Sequence, residues 1–209
     1  MPSKRKGNWR ARGTNAANTP RPPRAQDAPA LVDDIADLGD IILVVGIEEK
    51  QRQLRVLSHM LRAASKTFAV MFGPVFQEGQ GLDVNNPKSI PLPEDDAEAM
   101  EVLCRIIHLH NDSVSMTMSA EKVLSIARLV DKYALHRTVY LAATYWLDPT
   151  STTDIKALGQ LLVAADLMDH HRGFRNITEN MVTRHTACFH HITSYHCEDD
   201  IWSRLCRFA

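Results

Sequence analysis

A change of hydrophobic period at Leu57 narrows the fold more than any other feature of the chain. Before it, Ile41, Ile42, Leu43, Val44 and Val45 form an unbroken apolar run ended by Gly46, which suits a strand covered on both faces. After a polar loop, Leu54 and Val56 alternate with Gln53 and Arg55, the two-residue period of a half-buried strand, so the two runs predict a hairpin. From Leu57 the spacing turns helical. Leu57, Leu61 and Ala64 share one face, and Phe68, Met71 and Phe72 share the face of a second short helix for which Ser65 is the N-cap. Gly73-Pro74 stops that helix. The prediction is an α+β module with a small sheet and many helices.

The rest of the chain extends this pattern. Residues 79–87, with Gly79, Gly81, Pro87 and the Asn85-Asn86 pair, read as a mobile surface loop. Ile90-Pro91-Leu92-Pro93 allows only a short strand at a sheet edge, because proline brings no N–H to a ladder. Asp95 and Asp96 open a helix, their charge suited to the positive end of its dipole, and Met100, Leu103 and Ile107 form its apolar stripe. Ser119 caps a further helix carrying Val123, Ala127, Val130 and Ala134, and another carries Val139, Ala142, Ala143 and Trp146. Beyond Asp148-Pro149, a capping pattern over 151–154 precedes Ile155, Leu158, Leu162 and Ala165. A last pattern over 174–187 aligns Phe174, Ile177 and Met181. The stretch 31–38 reads at best as a short helical segment.

Composition and charge set the outer limits. A chain of 209 residues, 44% hydrophobic and 23% charged, can build one core with appendages. Its longest apolar run is five residues, against roughly 20 needed to cross a bilayer, and no secretory leader pattern opens it. Cys104, Cys188, Cys197 and Cys206 are too widely spaced for a disulfide framework, so the expected compartment is the cytoplasm or the nucleus, with no membrane association. The net charge of −1 hides a split: residues 1–30 carry +6, which leaves −7 for the rest. That segment has five prolines and almost no large apolar side chains, so it cannot bury enough surface to offset the entropy of ordering it. It reads as a disordered basic tail, either simply solvated or used for nuclear import. Any nucleic-acid contact would be weak and would come from residues 1–24.

The order of these elements, and the residues that fill them, resembles the BTB/POZ domain, in the short form common in fungal proteins. The matching pieces are Gly-Asp-Ile-Ile-Leu-Val-Val over 39–45, the Leu61, Ser65, Phe68, Met71, Phe72 pattern ending in Gly73-Pro74, the Ile-Pro-Leu-Pro-Glu-Asp-Asp run over 90–96, and Ala127 to an Asp-Lys-Tyr ending at Tyr133. The resemblance implies a mixed three-stranded sheet flanked by helical hairpins. It also implies a module that recognises proteins, often as a homodimer, without catalysis. On that basis the chain divides into a tail (1–36), a BTB/POZ domain (37–147) and a helical extension (148–209).

Several residues follow from the resemblance. Self-association through the first helices would involve Asp40, Leu57 and Leu61. Family members usually begin the first helix with a histidine; here the position is Leu57, and His59 lies two places on. In the transcription-repressor branch the acidic residue at the Asp40 position is partnered by a basic one where this chain has Ser58, which argues against corepressor binding. Members that recruit a cullin ubiquitin-ligase scaffold share an apolar-x-Glu motif after the Met-Phe helix, and here it reads Phe76-Gln77-Glu78. Phe72, Phe76 and Glu78 are therefore the candidate partner-binding residues, an exposed aromatic anchor with an orienting carboxylate beside it. The alternative is that Phe76 tucks against Phe72 as local packing. The expected role is a self-associating scaffold or a substrate adaptor for a cullin-type ligase. The rival within the family is a nuclear, transcription-associated protein that uses its basic tail.

Other chemistries have less support. His185, Cys188, His190, His191, His196 and Cys197 crowd together near the C-terminus, and imidazole and thiolate are zinc ligands, but there is no Cys-x-x-Cys knuckle and no regular spacing. A histidine-rich helix end is the expectation there. No phosphate-cradling glycine loop, no Gly-x-Ser-x-Gly elbow and no His-Glu-x-x-His is present, so neither an enzyme nor a cofactor is expected.

Overall fold

Among the described residues, four short strands form one open sheet in the order β1-β3-β2-β4, and five of the seven α-helices follow its last strand in sequence. A computed structural model describes residues 32–184. The strands are β1 (Val32–Asp34), β2 (Ile41–Val45), β3 (Arg52–Val56) and β4 (Lys88–Leu92). The helices are α1 (Ser58–Ala64), α2 (Lys66–Met71), α3 (Ala97–Ile107), α4 (Ala120–Lys132), α5 (His136–Trp146), α6 (Ile155–Leu167) and α7 (His171–Arg184). Of these, α1 and α2 precede β4.

The predicted hairpin is β2 antiparallel to β3, with Leu43 opposite Leu54 and Ile41 opposite Val56. Only one face of β2 is fully covered: Ile41, Leu43 and Val45 are buried, whereas Ile42 and Val44 are half-buried. β4 lies at the edge, parallel to β2 with Pro91 opposite Val44, where its missing N–H costs no ladder bond. The sheet has four strands rather than three. The additional one, β1, lies within 31–38, where a short helical segment was expected, and inside the span assigned to the tail. It runs parallel to β3, with Asp33 opposite Leu54. Ion pairs add to that ladder: Arg105 of α3 donates to Asp33 Oδ2 at 2.8 Å, and Arg55 lies 3.8 Å from Asp34.

Caps set most helix starts. Ser65 Oγ accepts from Phe68 N at 3.0 Å and donates to Tyr133 O at 2.5 Å, so one hydroxyl starts α2 and ties it to the end of α4. Asp96 accepts from Ala99 N at 2.8 Å, Ser119 from Lys122 N at 3.3 Å, and Asp154 from Lys156 N and Ala157 N at 3.2 Å. Ala134 departs from expectation: α4 ends at Lys132, and Ala134 is exposed in a left-handed turn at φ 51°. The core continues from the sheet through Phe68, Phe72, Met100, Leu103, Val130 and Val139 into α6. α6 is buried almost all round, as a helix enclosed between α4 and α7 must be. No helix among the described residues is long and apolar enough to cross a membrane. Residues 1–31 of the tail and the histidine-cysteine cluster that begins at His185 lie outside the described residues.

Candidate functional site

The buried side of α2 decides what its other side can do. Phe68 and Phe72 stack at 5.8 Å between ring centroids, and Phe68 lies 4.4 Å from the Tyr133 ring, so this face belongs to the core. Lys66, Thr67, Val70 and Met71 are left on the outer side. After Gly73-Pro74 the chain turns back on α2. A Cβ on Gly79 would come within 2.3 Å of Gly73 O, so only glycine permits so close a return. Gly79 N donates to Phe76 O at 3.2 Å and Gln80 Nε2 to Pro74 O at 3.2 Å. Lys88 of β4 reaches across to donate to the carbonyl of Gln77.

The result is an open groove of about 580 Å³ lined by Lys66, Thr67, Val70, Met71, Phe76 and Glu78. Its walls are apolar, with an ammonium and a carboxylate among the lining groups. Phe76 is 47% exposed, Val70 60% and Val75 82%, an unusual amount of bare apolar surface for one short segment. Of the three candidate partner-binding residues, Phe76 and Glu78 line the groove together. Phe72 does not: at 1% exposure it lies in the core, behind the wall it supports.

The three self-association candidates separate as well. Leu61 is wholly buried and has nothing to offer a second copy. Asp40 accepts from Ser58 N at 2.7 Å and from Ser58 Oγ at 2.6 Å. The N-cap residue, Leu57, has no acceptor of its own, so a carboxylate from the start of β2 starts α1 instead. Leu57 is half-buried and retains some surface. Its N–H donates to His108 Nε2 at 3.0 Å, while the other ring nitrogen meets Cys104 O at 2.8 Å. That leaves one tautomer, with the proton on Nδ1. A histidine from the end of α3 thus serves the start of α1 from 51 residues away. Burial pushes its pKa below the ordinary value, and nearby His110 lowers it further.

The acidic run at 94–96 is also not one feature. Asp96 caps α3, but Asp95 is 5% exposed and accepts from Tyr133 Oη at 2.5 Å and from Lys132 Nζ at 2.6 Å. It joins the start of α3 to the end of α4. Burial, then the bond to Asp95, raises the Tyr133 pKa. Burial likewise pushes the Cys104 thiol up to about 12, so at neutral pH it is a packing group rather than a nucleophile. A second depression, between the β2–β3 turn and the start of α3, has Lys50, Arg52, Glu94 and Glu98 along it. Of these, Arg52 pairs with Glu101 just outside it and lies 3.7 Å from Glu98. Among the described residues no three His, Cys, Asp or Glu side chains gather as a metal site.

Compared with models of protein families and with curated proteins, the chain matches none.

Proposed function

We propose that this chain is a protein-docking module of the BTB/POZ kind, acting in the cytoplasm or nucleus as a self-associating scaffold or as a substrate adaptor for a cullin-type ubiquitin ligase. The observation that carries the reading is the groove beside α2, where a half-exposed aromatic and a carboxylate meet an apolar wall. Such a site suits contact rather than chemistry. The displaced pKa values of Cys104, His108 and Tyr133 belong to buried or half-buried groups that pack the core or hold elements together, and none of the three lines the groove. Burying the Phe76 ring under a partner stabilises the complex by about 1.5 to 3 kcal/mol, roughly ten- to a hundredfold in affinity. Glu78 adds orientation and on-rate more than strength.

The test is a pull-down of a cullin scaffold by the wild-type chain and by the double variant Phe76→Ala, Glu78→Ala, with circular dichroism to confirm that both are folded. Loss of capture in a folded variant supports the adaptor reading. Undiminished capture removes the groove from it.

A further inference from the structure

α7 starts at a histidine that is buried rather than solvated. His170, the residue before the helix, is 2% exposed. The first N–H groups of a helix have no intrahelical partners, and a Ser, Thr, Asp or Asn side chain commonly accepts one of them. Here the acceptor is an imidazole: Gly173 N donates to His170 Nδ1 at 3.0 Å. The other ring nitrogen meets Thr144 Oγ1 of α5 at 3.3 Å, and that hydroxyl donates its own proton to Tyr140 O at 3.1 Å. Nε2 therefore carries the ring proton and Nδ1 is bare, so one neutral tautomer satisfies the whole set. The Tyr140 ring lies 4.8 Å away. The fit is tight: a Cβ on Gly173 would lie 2.8 Å from His170 Nδ1 and 2.9 Å from Leu147 Cδ1.

Protonation would reverse the direction of the cap. An N–H at Nδ1 would face the Gly173 N–H at the positive end of the α7 dipole. The ionisable groups around the seam are Tyr140 and Tyr145 on α5, Asp148 after it, Asp166 and Asp169 at the end of α6, and His171, Arg172 and Arg175 on α7. Two of these carboxylates, Asp148 and Asp169, have partners elsewhere. Asp148 Oδ1 accepts from Thr150 N and Thr150 Oγ1 at 2.9 and 2.8 Å, and Asp169 lies 3.5 Å from His171 Nε2. Burial lowers the ring's pKa first, and Arg172 and His171 lower it further. A crevice of about 220 Å³, with Thr144, Asp148, Arg172 and Asn176 among its lining, borders the ring.

We infer that His170 is a pH-operated latch: neutral, it caps α7 and ties it to α5 through Thr144; protonated, it gives up the cap, and the first turns of α7 loosen from the bundle. The inference stands on the seam alone and does not depend on what fills the groove beside α2. Hydrogen exchange on the full chain at pH 7.5 and 5.5, corrected for intrinsic exchange rates, reads the latch directly. Uptake of one proton at an ordinary histidine pKa of about 6.5 in the open state raises opening of α7 about tenfold between these two values. His170→Asn keeps a cap acceptor that does not titrate and removes that increment. An unchanged α7 in the wild type, or the same increment in His170→Asn, overturns the inference. If the variant leaves α7 unprotected at pH 7.5, an NMR titration of the His170 ring in the wild type decides. Titration below pH 6.5 together with α7 amide shifts supports the latch, and titration at or above 6.5 overturns it.

Discussion

Replacing Phe68 with alanine removes a wholly buried ring that lies against Tyr133 at 4.4 Å and Phe72 at 5.8 Å. Truncating a buried phenylalanine costs about 3 to 5 kcal/mol, the spread reflecting how far the surroundings can collapse into the space. Collapse is restricted here. α2 has six residues, its start is tied to Tyr133 O through Ser65 Oγ, and Tyr133 is itself held by Asp95. Two aromatic contacts are lost with the ring, each contributing about 0.5 to 1.5 kcal/mol beyond area, which places the expected cost in the upper half of the range. In a urea titration followed by circular dichroism, a loss of about 4 kcal/mol with a slope near 2 kcal/mol/M lowers the midpoint by about 2 M. Phe68→Leu keeps most of the volume and should lose about 1 to 2 kcal/mol. A loss under about 1 kcal/mol for the alanine variant, below the range for a buried aromatic, would refute the packing described for α2.

Two further outcomes are expected. His108 is held neutral by accepting the Leu57 N–H, and its folded-state pKa is depressed, so its contribution to stability is complete above the unfolded value of about 6.5 and is lost as pH falls through the folded value. Urea midpoints measured in steps from pH 7.5 to 5.5 should therefore fall, and His108→Gln should fall less; a wild-type midpoint flat across that range contradicts the assignment. Light scattering at micromolar concentration should give twice the chain mass, and the mass of a single chain would remove self-association from the proposed function.

Much of the fold is legible in the sequence where the cause is local. The β2–β3 hairpin follows from an apolar run and an alternating one, β4 from a proline that must sit at an edge, and the starts of α2 and α4 from Ser65 and Ser119. The features that were not legible depend on partners far along the chain. β1 is three residues with two aspartates, and it becomes a strand by pairing its backbone in parallel with β3, with Arg55 and Arg105 meeting its carboxylates. Asp95 looks identical to Asp96 in sequence; Tyr133, 38 positions away, makes one a buried acceptor and the other a cap. His108 and His170 carry no motif, since their role is to accept one backbone N–H apiece. In the candidate site, the sequence places Phe76 and Glu78 on a turn after a helix end, and the structure sets both along the groove beside α2. Phe72 and Leu61 were misplaced because their apolar character suits a core as well as a surface, and only packing separates the two.

Calorimetric titration of a purified cullin scaffold into the full chain, repeated with the single variant Phe76→Ala, tests the docking proposal most directly. The account predicts binding by the wild type, weakened about ten- to a hundredfold when the ring is removed. No binding by the wild type, or equal affinity for the two proteins, would contradict it.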